Sequence, residues 1–180
     1  MAILTLKSHI ARAKDFYNKD DLYFVIGKTS QWSSSDIDNF DASHDYESEP
    51  PVPKNTDEMK EIVGYKKIEF KALVKPDDNG SLEYRGTNWK IVSPEDAVAE
   101  GARWVYASAD LTYNELPVTK PYRQVGLISG LKKASSVQAD KYALLPNQVA
   151  DTGLLEVIDN RKPVYRDTDV REKIKIVLEF

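Results

Sequence analysis

The segment that most constrains the fold is a short, uninterrupted run of apolar residues. Asp20 and Asp21 precede the run Leu22–Ile26, and Gly27 closes it. Successive side chains of a strand point to opposite faces of a sheet, so an unbroken apolar run has to be covered on both faces. The run therefore predicts a central, doubly buried strand.

Several further segments have the composition or the alternation of strands. Residues Ile68–Val74 alternate apolar side chains with Lys and Glu, as does Lys173–Phe180, and this period predicts strands with one wet face. The turn-forming residues Pro76–Gly80 predict a hairpin from the first of these strands into Leu82–Tyr84. Other predicted strands are Trp89–Val92, Arg103–Ala107, Tyr122–Ile128 and Leu154–Ile158.

Two or three short helices complete the pattern. Residues Leu4–Asn18 carry apolar side chains at helical spacing, which predicts an amphipathic helix. Thr56 is a suitable cap for a second helix through Val63. The segment Ser93–Asp96 has the chemistry of a helix start, and Gly101 would end that helix. The fold class is therefore mainly β, of the α+β type.

A long segment between the predicted elements has no hydrophobic period. Residues 29–55 are rich in Ser, Asp, Glu and Pro, and we predict a long acidic loop or arm. Loops of this length are uncommon inside compact domains and are usually functional or poorly ordered. We expect one domain over residues 1–180 and hypothesise that Ser35–Asn55 carries contacts to other subunits.

Composition excludes several classes of function. Of the 180 residues, 41% are hydrophobic and 30% charged, so the chain is expected to bury a core. Lys and Arg number 25 against 29 Asp and Glu, which gives no attraction to nucleic acid or anionic membranes. There is no cysteine for a disulfide or thiolate metal site, and no run resembles a signal peptide or membrane span. Cytoplasmic synthesis is the expectation.

No constellation of residues predicts catalysis or a cofactor. His9 and His44 are the two histidines, and no Gly-x-Ser-x-Gly elbow accompanies the serines. Gly86 and Gly153 lack a phosphate-loop context. Carboxylates are numerous, yet nothing singles out a pair for glycoside hydrolysis. We predict no catalytic residue and no cofactor.

The acidic arm invites a metal interpretation that we weigh against a plainer one. It lacks the Asp-x-Asp-x-Asp-Gly pattern of a calcium loop, and solvated acidic loops are common, so we predict no metal site. The oxygen and nitrogen ligands concerned are Asp36, Asp38, Asp41, His44, Asp45, Glu47 and Glu49.

Segments near both ends and in the middle carry a family resemblance. Residues 24–34 contain a strand, then glycine and a basic residue, then Trp32, Ser33 and Ser34. Residues 122–134 begin with an aromatic-Arg-Gln strand. Residues 159–164 have an acidic-Asn-Arg-x-Pro pattern, and a closing strand ends in Phe180. In this order they resemble the gene-product-eight family of baseplate wedge proteins from T-even, contractile-tailed bacteriophages.

The resemblance implies a fold, partners and a location. It implies an antiparallel β-sandwich-like domain that binds other wedge subunits, with several copies in a sixfold baseplate. A homodimer is a further possibility, and the T-even protein is substantially longer than this chain. The implied location is the virion tail baseplate, after assembly in the host cytoplasm.

Residues in these motifs are candidates for an interface, with a structural alternative for each. Trp32 could anchor a partner or pin its own loop. Arg123 and Arg161 could pair with carboxylates of a neighbour or tie down internal loops. The full set of candidate interface or family-motif residues is Trp32, Ser33, Ser34, Tyr122, Arg123, Gln124, Asn160, Arg161, Pro163 and Phe180.

The function predicted from these observations is that of a structural, non-enzymatic wedge subunit. The alternatives are a tail-associated enzyme active on cell walls or glycans, and a receptor-binding or carbohydrate-binding module. The first would need a carboxylate pair facing a cleft. The second is compatible with 10 tyrosines and 3 tryptophans.

Overall fold

The computed structural model describes residues 3–37, 41, 48–53, 55–117 and 119–180. Of the described residues, 41% lie in strands and 11% in helices, the 3-10 turn included, and the sheets are antiparallel, which confirms the predicted mainly β class. No helix in these described ranges is both long and apolar enough to cross a membrane.

The elements follow one another in a mixed order. Along the chain they are α1 (Leu6–Tyr17), β1 (Leu22–Gly27), β2 (Gly64–Lys67), β3 (Phe70–Pro76), β4 (Leu82–Tyr84), β5 (Thr87–Val92), α2 (Ala97–Glu100), β6 (Trp104–Leu111), β7 (Tyr122–Ser129), β8 (Lys132–Lys133), β9 (Ala143–Leu144), a 3-10 turn (Pro146–Gln148), β10 (Val149–Asp151), β11 (Leu154–Val164) and β12 (Glu172–Glu179).

The chain forms two compact units, each built from separate stretches of sequence. The first unit comprises Met1–Asp20, Ile68–Asp110 and Lys173–Phe180, and the second comprises Asp21–Lys67 and Leu111–Glu172. Each unit has its own five-stranded sheet. The single domain expected from the sequence stays a prediction.

The first unit packs a helix with a sheet in the order β12-β6-β3-β5-β4. Thr5 caps α1 by accepting a hydrogen bond from Ser8 N at 3.3 Å. The helix buries Ile10, Ala13 and Phe16, and the Phe16 ring centroid lies 5.3 Å from that of Phe180. The amphipathic helix predicted from the sequence is confirmed.

The predicted hairpin between Ile68–Val74 and Leu82–Tyr84 is wrong in its pairing. Strand β5 lies between β3 and β4, because Trp89 is opposite both Pro76 and Leu82. Arg85 and Gly86 have φ of 50° and 77°, two successive left-handed residues that make the tight turn from β4 to β5. The segment Pro76–Gly80 does turn the chain, but it connects strands that are not neighbours.

The second predicted helix, Thr56–Val63, is absent from the structure. Its backbone bonds to the end of β1: Lys28 N donates to Lys60 O at 2.7 Å, and Val63 N donates to Ile26 O at 2.9 Å. Long-range pairing therefore replaces the bonds that a helix would make within itself. The described ranges contain two α-helices.

The third predicted helix is confirmed as α2, with a later start. Ser93 Oγ accepts from Asp96 N at 3.2 Å and fixes the turn that precedes Ala97. Gly101 ends the helix with φ of 69°, in the left-handed region that favours glycine.

The second unit is built around β1. Its sheet has the order β11-β7-β1-β2-β9, and β8 pairs with β10 in a small ribbon. All six residues of β1 are buried, which confirms the central strand predicted from Leu22–Ile26. Tyr23 and Val25 of this strand form a core cluster with Tyr65 and Leu144.

Candidate interaction site at the base of the arm

The site begins where β1 ends and residues 29–55 leave the sheet. Lys28 has φ of 55°, so the chain turns sharply after Gly27. Lys28, Trp32, Asp36, Lys60 and Glu61 then come together, and we call these five residues the arm base. The described residues between 29 and 55 contain no helix or strand, and the loop or arm predicted over residues 29–55 stays a prediction.

Lys28 is the centre of the arm base. The residue is 3% exposed, and its Nζ lies 3.0 Å from Asp36 Oδ2 and 3.4 Å from Glu61 Oε1. The same ammonium donates to Ser30 Oγ at 2.7 Å and lies 5.8 Å from the centroid of the Trp32 ring. A buried ammonium group needs anions and acceptors in place of water, and these groups provide them.

Asp36 balances this charge. Lys60 Nζ lies 2.8 Å from Asp36 Oδ1, while Ser33 donates to Oδ2 from its backbone N at 3.0 Å and from Oγ at 2.6 Å. Burial alone would raise the pKa of Asp36, but hydrogen bonds from Lys60, Ser33 and Lys28 outweigh it and hold the pKa well below its usual range.

Glu61 ties the first residues of the arm to the segment after it. Its Oε2 accepts from Thr29 N at 2.9 Å, Thr29 Oγ1 at 2.6 Å and Ser30 N at 2.8 Å. Burial opposes ionisation, yet the bonds from Ser30 and Thr29 and the charge of Lys28 lower the pKa of Glu61 to about 2. Glu61 itself has φ of 48°, a strained backbone that these contacts hold.

Trp32 joins the outgoing and returning parts of the arm. Its side chain is 1% exposed, and Nε1 donates to Ser48 O at 3.3 Å. The structure therefore places Trp32 inside its own subunit. The residues 38–40, 42–47 and 54 lie outside the described ranges, and with them four of the possible metal ligands, Asp38, His44, Asp45 and Glu47.

The middle and late motifs meet the first one at this site. Arg123 N donates to Lys28 O at 3.0 Å, and Arg123 Nη1 donates to Thr29 O at 2.9 Å. Gln124 Nε2 donates to Asn160 Oδ1 at 2.9 Å, across the register that pairs β7 with β11. Arg123, Gln124 and Asn160 are all buried, so they form a polar layer against the arm base.

The remaining predicted residues are spread over other places. Tyr122 is buried and donates through its hydroxyl to Glu172, and burial raises its pKa well above the usual value. Arg161 Nε lies 3.1 Å from Asp159 Oδ2, an internal pair. Pro163 is half-buried in β11, Ser34 is exposed, and Phe180 belongs to the first unit.

The sequence interpretation missed four members of the arm base as site residues. Lys28 lies within the first motif. Its position directly after a buried strand and Gly27 could have indicated that it belongs to the site. Asp36 was considered only as a metal ligand. Lys60 and Glu61 lay in a segment wrongly predicted to be helical, and nothing local showed that they reach back to β1.

The contacts of the arm base hold the chain in place. The carboxylates of Asp36 and Glu61 are kept ionised, and their oxygens are occupied by ammonium, hydroxyl and backbone donors. In the described part of the chain, no three Asp, Glu or His side chains are grouped as a metal ion would need.

These features define a β-rich structural protein whose polar centre fixes a loop. The chain belongs to the family described as baseplate wedge 3 tail fiber network component, which matches residues 1–180. It is also 34% identical over 189 residues to "Virion protein 3" of Enterococcus phage phiEF24C, covering 99% of this chain and 96% of that protein. The chain is a bacteriophage virion protein with a structural role in the baseplate, and the wedge resemblance is confirmed.

Proposed function

We propose that this chain is a non-enzymatic wedge subunit that binds other baseplate subunits while the baseplate assembles in the host cytoplasm. The family description, a component of a tail fiber network, supports a role defined by contacts with other proteins. Large mixed surfaces, rather than a reactive centre, would carry that role.

The observation that carries the proposal is the way the arm is fixed at its base. Trp32 binds Ser48 across the two parts of the arm, and Asp36 is held by Lys28 and Lys60. Fixing the ends of a binding loop lowers the entropy lost when it engages a partner. We therefore assign inter-subunit contacts to residues Ser35–Asn55 of the arm.

The motif residues take a supporting role in this proposal. Trp32, Arg123, Gln124 and Asn160 are buried within one subunit, which favours holding the arm over touching a partner directly. An antiparallel β-sandwich-like fold, a homodimer and multiple copies in a sixfold baseplate belong to the same proposal through the family resemblance.

Replacement of residues 38–47 by a Gly/Ser linker tests the assignment. The change leaves Trp32, Asp36 and Ser48 in place, so the arm base is retained. The variant and the unchanged protein are each co-expressed with the other baseplate subunits of the phage, and complexes are measured by light scattering. A matched control replaces residues 138–141, an exposed loop of the same unit.

We expect the arm variant to lose complex formation while its midpoint of urea unfolding and the control's complexes stay unchanged. Unchanged assembly by the arm variant would remove the arm from the interface. A cell-wall turbidity assay on the unchanged protein tests the non-enzymatic part, since clearing would favour the enzyme alternative.

A further inference from the structure

Two loops of the second unit are joined side by side by one arginine. Arg166 Nη2 donates to Thr112 O at 3.0 Å, and Arg166 Nη1 donates to Leu116 O at 2.9 Å and Pro117 O at 3.2 Å. We call residues 112–117 and 165–172 the paired loops. Three backbone carbonyl groups of the first loop thus accept hydrogen bonds from a single planar guanidinium group.

The arginine is itself fixed. Its side chain is 3% exposed, and its Nε lies 3.4 Å from Glu172 Oε2. Glu172 also accepts from the buried Tyr122 hydroxyl, so the arrangement is tied to β7. The geometry of the second loop therefore does not depend on a partner.

The first loop is braced from the other side. Glu115 Oε1 lies 2.6 Å from Lys66 Nζ on β2, and Glu115 Oε2 accepts from Thr112 N at 2.9 Å. Leu116 is buried beneath the loop. Both loops are thus anchored to the sheet although neither is part of it.

The rigid loops leave large apolar side chains in water. Tyr113 is 58% exposed, Tyr165 is 70% exposed and Val170 is 57% exposed. Tyr113 and Tyr165 directly adjoin Thr112 and Arg166, which are joined by a hydrogen bond. Exposed tyrosines on a preorganised backbone are typical of binding hot spots, because little entropy is lost when they are covered.

The charges of the paired loops indicate the chemistry of the partner. Glu115 and Glu172 are engaged by Lys66 and Arg166 within the unit. Asp167, Asp169 and Arg171 are all exposed on the second loop. Their charges sum to a net negative charge. A complementary surface would place lysine or arginine around an apolar pocket.

We propose that the paired loops are a docking surface for another baseplate subunit, one that presents an apolar pocket bordered by Lys or Arg. The inference rests on the proposed function and adds to it a second surface, separate in sequence from the arm. Tyr113 and Tyr165 fill the pocket, and Asp167 and Asp169 face its basic border.

Two pairs of substitutions test this surface. The first is Tyr113→Ser with Tyr165→Ser, matched by Tyr142→Ser, which removes a tyrosine that is 53% exposed elsewhere in the same unit. The second is Asp167→Asn with Asp169→Asn. It removes charge but retains the oxygen that accepts from Asp169 N at 3.4 Å. Its match is Asp78→Asn with Asp140→Asn, at two other exposed positions.

Each protein is titrated against the baseplate subunits that co-purify with the unchanged chain. We expect the tyrosine pair to weaken Kd about tenfold or more. We expect the aspartate pair to lower the association rate and its dependence on salt. The matched variants should bind like the unchanged chain, and all variants should keep its unfolding midpoint.

The outcomes separate this inference from the proposed function. If the unchanged chain forms complexes that both paired-loop variants also form with equal affinity, the docking surface is wrong and the wedge function stands. If the unchanged chain binds none of the subunits, both are overturned. Loss of binding with Tyr142→Ser to the same extent would likewise remove the paired loops as the specific surface.

Discussion

Lys28 Nζ lies 3.0 Å from Asp36 Oδ2, and the two side chains are only 4% and 5% exposed. A buried ion pair is costly to desolvate, so its net contribution to stability is small, yet removal of one partner leaves the other charge uncompensated. The pair joins the end of β1 to the arm, so its loss would destabilise both segments.

Substitution Lys28→Met should destabilise the fold by about 3 kcal/mol, because Asp36 and Glu61 would lose their shared buried cation. Urea unfolding monitored by tryptophan fluorescence measures the change. Lys132→Met is the matched control, since Lys132 pairs with Asp151 at 3.3 Å on the open surface. That variant should lose at most about 0.5 kcal/mol.

The double variant Lys28→Met with Asp36→Leu should recover part of the lost stability, because the uncompensated carboxylate is then gone. A double variant that is less stable than the unchanged protein by the sum of the losses in Lys28→Met and Asp36→Leu alone would argue against a coupled buried pair.

Substitution Trp32→Phe should lower the free energy of unfolding by about 1–3 kcal/mol, through loss of the Nε1 bond to Ser48 O and some packing. Trp89→Phe is the matched control. Trp89 is 8% exposed, and its Nε1 has no hydrogen-bond partner within the described chain, so that change removes packing alone.

Limited proteolysis distinguishes the two tryptophan variants further. Trp32→Phe should speed cleavage within residues 33–48, while Trp89→Phe should leave that rate unchanged. Equal cleavage rates in both variants would show that Trp32 does not join the two parts of the arm.

Acid should weaken the arm base in a defined direction. The pKa of Asp36 and that of Glu61 are depressed in the folded protein, so both carboxylates stabilise it above their unfolded pKa values near 4. This stability is lost as the pH falls from about 4 through the folded Glu61 pKa of about 2. The midpoint of urea unfolding, measured at about one-unit steps between pH 7 and pH 2, reports this loss of stability.

The variant Asp36→Asn with Glu61→Gln isolates this effect. It should be less stable than the unchanged protein at pH 7, and its stability should fall less steeply with acid, since two groups no longer bind protons on unfolding. An identical slope in the two proteins would place the acid-sensitive groups elsewhere.

The end of α2 offers a test of backbone conformation alone. Gly101 has φ of 69°, and a Cβ built there would meet no atom within 4 Å. Gly101→Ala should therefore cost about 1 kcal/mol from left-handed strain, and Gly101→Asn clearly less. Calorimetry on the three proteins measures the order, and equal losses for Ala and Asn would contradict the strain explanation.

Local sequence pattern was enough to predict the elements whose buried positions follow from the order of their own apolar residues. The unbroken run Leu22–Ile26 predicted a central strand, the spacing in α1 predicted its buried face, and alternation predicted the buried Ile174 and Ile176 of β12. In each, period and composition agree with the environment that the fold supplies.

Pairing between distant segments could not be predicted in the same way. Residues Thr56–Val63 have an acceptable helix start, but their backbone bonds go to β1, and a choice between such partners depends on the whole fold. The site shows the same division. Motifs led to Trp32, Arg123, Gln124 and Asn160, whereas the ion pair between Lys28 and Glu61 in the arm base joins residues 33 positions apart in sequence.

The segmented first unit has a consequence for how the protein is made. Its sheet needs β12, which pairs with β6, and the Phe180 ring packs beside Phe16 from the opposite end of the chain. On the ribosome, α1 and β3 to β6 emerge long before β12, so the sheet of this unit is complete only after residues 172–179 have emerged. Chains shortened by premature termination would leave β6 as an unpaired edge strand. Such an edge is prone to aggregation.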